Sequence, residues 1–63
     1  MGYREAKELA RIRSELRNRL MSQHTQGAWD LLARLRSAAE GDADLTSEYE
    51  RWRLRFELLA AGA

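Results

Sequence analysis

Apolar residues recur every third or fourth position through most of this chain, in three runs set apart by glycine-containing polar stretches. In the first run Leu9, Ile12, Leu16 and Leu20 fall on one side of a helical wheel at about 100° per residue, with Tyr3, Ala6, Ala10 and Met21 widening the stripe. In the second, Ala28, Leu31, Leu32, Leu35, Ala38 and Ala39 share a broad face, and Trp29 falls at its edge beside Ala33 and Arg36. In the third, Leu45, Tyr49, Trp52, Phe56 and Leu59 stand alternately four and three residues apart, the spacing of a helical seam that packs against other helices. The pattern predicts helices over about residues 3–22, 26–39 and 45–60 within a single all-α domain, 1–63: a small three-helix bundle, or a hairpin with a long first helix.

The two junctions differ in strength. Gly41 within Glu40-Gly41-Asp42-Ala43-Asp44 suits a left-handed helix end, and Asp42, Asp44 or Thr46 can cap the helix that follows. Gly27 is a weaker punctuation mark, because one glycine costs a helix only about 1 kcal/mol and could equally kink one long helix.

The third run carries a second apolar stripe. Leu54, Leu58 and Ala61 lie opposite the aromatic seam, between a flank of Glu48, Arg51 and Arg55 and a flank of Glu50, Arg53 and Glu57. A helix that is apolar on two sides has to be covered twice, whereas the two neighbours in a small bundle take adjacent sides. The expected cover is a protein, either a second copy or a larger assembly. The residues expected to make that interface are Leu54, Leu58, Ala61 and Trp29, with Tyr49, Trp52 and Phe56 as candidate aromatic anchors and Arg51 and Arg55 on the rim. Within that set, Tyr49, Trp52 and Phe56 are the ones expected to be claimed by the chain's own core, which leaves Leu54 and Leu58 for the partner.

Composition sharpens this picture. A chain of 63 residues buries a small fraction of its surface, and such chains usually add disulfides, a structural metal or oligomerisation; here there is no cysteine and one histidine, His24. Proline and valine are absent and isoleucine occurs once, so strands are not expected. Eleven basic and ten acidic side chains leave a net charge of +1, too little to steer the chain to a nucleic acid or an anionic membrane. Ten of the eleven basic residues are arginine, a side chain common at interfaces and also favoured by GC-rich coding. No apolar run approaches the roughly 18 residues of a membrane span, and the residues from Met1 to Ala6 lack a signal-peptide core, so a cytoplasmic location is expected.

The remaining motifs carry little chemistry. Arg11 with Arg13, Arg17 with Arg19, Arg34 with Arg36, and Arg51 through Arg55 invite a nucleic-acid reading, but residues two apart on a helix point about 200° apart and form no single ridge. A small DNA-associated regulator of the antitoxin or bacteriophage-repressor kind, with arginines gathered by dimerisation, is the alternative function. Asp42, Asp44 and Glu48 fit helix capping and dipole complementation better than a calcium loop, which needs more oxygen ligands. Leu9 to Ser14 and Leu32 to Ser37 are near repeats, as amphipathic patterning in a Leu, Ala and Arg-rich chain readily produces. Trp29-x-x-Leu32 with Leu45-x-x-x-Tyr49 touches the tetratricopeptide pattern; Ala33 in place of glycine, Arg36 in place of an aromatic and the missing proline leave only a helical-hairpin likeness. No enzyme activity, cofactor, metal or small-molecule substrate is expected.

Overall fold

The computed structural model describes residues 2–62, which form three α-helices: α1 Tyr3–Met21, α2 Ala28–Ala38 and α3 Ala43–Gly62. Two short connections reverse the chain twice, so α1 and α3 run parallel and α2 runs against both. At about 1.5 Å per residue α2 is roughly 16 Å long, against roughly 28 Å for α1 and 30 Å for α3. The molecule measures 38 Å along its longest axis, more than either long helix, so α1 and α3 are staggered. The short α2 covers only the overlapping middle portions.

The first junction breaks earlier than the glycine. The last turn of α1 closes with the Gln23 N–H on the Leu20 carbonyl at 3.1 Å and the His24 N–H on the Arg19 carbonyl at 2.8 Å. This paired closure requires a left-handed residue between them, and Gln23 takes it at φ 57°, a conformation that costs an ordinary L-residue about 1 kcal/mol or more. Gly27 neither kinks a long helix nor ends one. It is the residue before α2, at φ 77°, and a Cβ there would lie 3.3 Å from the Arg19 guanidinium, which folds back so that its Nε donates to the Gln26 carbonyl at 3.1 Å.

The second junction is tighter. The Asp42 N–H bonds to the Ala39 carbonyl at 2.9 Å around Gly41, whose φ of 80° glycine adopts without strain. Of the three candidate caps, Asp42 does the work: its carboxylate accepts the Leu45 N–H at 3.1 Å, one of the amides a helix start leaves unpaired. Thr46 Oγ1 donates to the Asp42 carbonyl at 2.8 Å and binds Ala39's at 3.2 Å. With Asp42 as the cap, α3 begins two residues before the expected Leu45.

Leu9, Ile12, Leu16, Ala28, Leu31, Leu32, Leu35, Ala39, Leu45 and Phe56 form one buried cluster, with Leu20, Tyr49, Trp52 and Leu59 packed against it partly buried. The widened stripe on α1 is a correction: Tyr3, Ala6, Ala10 and Met21 are exposed. Arg13 binds α3 at the edge of the α1–α3 contact, and Ala10 lies about 60° further round the helix, beyond that edge. Tyr3 and Ala6 belong to the staggered end of α1, where residues 2–8 are exposed throughout. Ala38 likewise points to solvent, while its neighbour Ala39 is buried.

Candidate functional site

Helix α3 separates its expected interface residues into three groups. Phe56 is wholly enclosed by the chain's own core, Leu45 nearly so, and Tyr49 and Trp52 are half-buried against the same cluster. On the other side Leu54 and Leu58 are 55 % and 64 % exposed, and Ala61 is exposed beside them. The anchors named from sequence therefore do not share one surface. Phe56 faces inward, Leu54, Leu58 and Ala61 face outward, and Tyr49 and Trp52 lie on the boundary.

The two boundaries of the outer stripe are built differently. Toward α1, Glu48 takes a fork of hydrogen bonds from Arg13, with Nε at 2.7 Å and Nη2 at 2.9 Å, and a further bond from Trp52 Nε1 at 3.2 Å. The Arg13 bonds, reinforced by the Trp52 N–H, hold the Glu48 carboxyl below its usual pKa of 4.5 against the opposing effect of partial burial. Bonding to Glu48 holds the Arg13 guanidinium above its ordinary value. Trp52 is thus fixed by its indole N–H, and the Arg55 guanidinium lies 5.5 Å over its ring, within cation–π range.

Toward α2, Arg53 approaches Glu57 at 3.7 Å and lies 5.9 Å over the Tyr49 ring. Beyond it an open groove of about 940 Å³ runs between α2 and α3, walled by Trp29, Ala33 and Arg36 on one helix and by Tyr49, Arg53 and Glu57 on the other. Trp29, 46 % exposed, stands on the rim of this groove and on the opposite side of Arg53 from Leu54. Arg51 and Arg55 are exposed on the α1 side of the outer stripe.

The Arg13–Glu48 fork is the contact that sequence reasoning missed. Arg13 stood out only beside Arg11, and Glu48 only as a flank residue that complements the start of α3; instead the two, 35 residues apart in sequence, pair with each other and join α1 to α3. The signal was present: opposite charges bordering the apolar stripes of two helices that any up-down-up bundle brings side by side. Arg13, Arg19 and Arg53, members of the arginine pairs that suggested nucleic acid, are engaged with Glu48, the Gln26 carbonyl and Glu57.

Asp42 is committed to its cap and Glu48 to Arg13, and His24 is exposed in the first connection. Among the described residues no three His, Cys, Asp or Glu side chains gather around a metal-sized space, and no helix is long and apolar enough to cross a membrane. Comparison with family models, with curated proteins and with solved structures finds no match for the chain.

Proposed function

We propose that this chain is a protein-interaction module that works by burying the outer apolar face of α3 against a protein partner, without a reaction of its own. The observation that carries this reading is the pair Leu54 and Leu58, both more than half exposed on a helix whose other side already supplies the core. Their burial would release apolar surface from water at about 25 cal/mol per Å², and Arg55 and Glu50 provide the polar rim that protein interfaces carry around such a centre. Near-zero net charge fits a protein partner better than a polyanion.

The test is the molar mass in solution over a dilution series, for the protein alone and for the protein recovered from its native host, compared with a Leu54→Glu/Leu58→Glu variant. The reading expects a mass above that of one chain in at least one of the two preparations, lost in the variant while its helical circular dichroism stays unchanged. A folded monomer in both preparations would remove it.

A further inference from the structure

We infer that the partner of the α3 outer face is a second copy of this chain, joined in a parallel two-fold pair of α3 helices; this rests on the interaction reading above and names its occupant. The outer stripe is longer than its leucines. Ser47, Arg51, Leu54, Leu58 and Ala61 are alternately four and three residues apart and all exposed, so α3 carries a second seam with the same spacing as its buried one. The protomer's own α1 and α2 cover the opposite side, so two copies meeting at this seam keep their bodies apart.

The charges on its borders select the orientation. Glu50 and Glu57 border the seam on the α2 side, and Arg55 borders it on the α1 side beside Glu48, whose charge is already matched by Arg13 of its own chain. A two-fold axis perpendicular to the helices brings like borders together, arginine against arginine and glutamate against glutamate. An axis parallel to them brings opposite borders together. In that parallel register each residue on the glutamate border meets the residue about five positions further on along the other copy, and for Glu50 that residue is Arg55. The symmetric dimer then has two Glu50–Arg55 pairs across it. Among the described residues neither Glu50 nor Arg55 is in an ion pair within its own chain.

Surface relief supports the same mate. Ser47, Glu50, Arg51 and Leu54 line a dimple on the seam, the four-residue hole into which a side chain of a facing helix inserts. In parallel register the inserted side chain is Arg51 of the second copy, placed beside Glu50. A charged residue at one seam position costs affinity and fixes register, and a seam about 21 Å long with two leucines per chain buries less than a standard interface, so the dimer is weak and exchanging.

The chain has no cysteine, so single cysteines report on orientation directly. Ser47→Cys is expected to form a disulfide-linked dimer with itself under mild oxidation, well above the yield of Ser14→Cys, an exposed position on α1 that measures random collision. Glu50→Arg is expected to raise the dimer dissociation constant by about ten-fold, since two pairs change from attraction to repulsion, and Glu50→Arg/Arg55→Glu to restore it. Crosslinking only in mixtures of Ser47→Cys and Ala61→Cys, or no rescue by the exchanged pair, overturns the parallel arrangement. A monomer up to about 1 mM without Ser47→Cys crosslinking overturns self-association altogether; a Leu54- and Leu58-dependent complex with another protein would then leave only the interaction reading standing.

Discussion

Phe56 and Leu58 are two residues apart on one helix, and the first is completely buried while the second is 64 % exposed. Both belong to stripes spaced alternately by four and three residues. What separates them is not their own sequence but what stands across from them. The inner stripe meets Leu9, Ile12 and Leu16 of α1 and Leu31, Leu32 and Leu35 of α2; among the described residues the outer stripe is covered by no other helix, and Leu54 and Leu58 stay exposed. Helical spacing announces that a face is suited to being covered, and the number of available helices decides which faces the chain can cover itself. Three helices leave one face of α3 over.

The sharpest way to break the comparison is to remove the inner member. Phe56→Ala deletes a fully enclosed ring and should cost about 3–5 kcal/mol. A domain of this length has only about 3–9 kcal/mol of stability in total, so the variant is expected to lose its cooperative thermal transition or to melt far below the parent. Circular dichroism on heating decides it; a transition at the parent temperature would mean that Phe56 is not the keystone its burial implies. The same result disqualifies Phe56 as an interface probe, because any loss of association would follow from loss of the fold.

That distinction was only partly legible in the sequence. The three helices, the inner seam and the exposed Leu54 and Leu58 followed from spacing alone, since a periodic stripe records burial averaged over a whole helix. The end of α1 followed to within one residue, but the device that makes it did not: Gln23 adopts a left-handed conformation that its side chain disfavours, and the hydrogen bonds closing the last turn impose it. Gly27, with a residue type suited to breaking a helix, drew attention to the wrong side of the connection. Tyr3, Ala6, Ala10 and Met21 lie where stripe width overstated coverage, a quantity set by the short α2 and by the stagger of its neighbours. Arg13 and Glu48 were visible only as opposite charges bordering two stripes; that they meet depends on the relative rotation of two helices that are not adjacent in the chain.

That pair, on the border between the two stripes, gives an intermediate effect. Glu48→Gln keeps the shape and the capacity to accept from Trp52 but removes the charge opposite Arg13, at a cost of about 1 kcal/mol for a partly exposed forked pair. The pH dependence has a definite sign. Because the folded-state pKa of Glu48 is depressed below its unfolded value, its contribution is fully present above about pH 4.5 and is lost as pH falls through the lower folded value. Arg13, held higher in the folded state, contributes at every pH below the ordinary arginine range and loses that contribution only in strong alkali, so it stays constant across the acid range. Denaturant titrations from pH 7 to pH 2 should therefore show the parent losing its advantage over Glu48→Gln below about pH 4.5; parallel curves would show that the fork contributes nothing to folding.

The smallest expected effect is the most discriminating for function. Leu58→Gln replaces an apolar side chain already 64 % in water, on a helix where glutamine is nearly as favourable as leucine, so the folding free energy of the monomer should change by no more than about 0.5 kcal/mol. Measured by urea unfolding at low micromolar concentration, where a weak dimer is dissociated, parent and variant should share one midpoint. At near-millimolar concentration the parent's midpoint should move upward, since binding restricted to the folded state adds to stability by mass action, while that of the variant should not. A variant that is destabilised equally at both concentrations would place Leu58 in the core with Phe56 and erase the difference between the two sides of α3. A shift with concentration in the parent alone would make the outer stripe what its spacing suggests, a core whose other half is supplied by another chain.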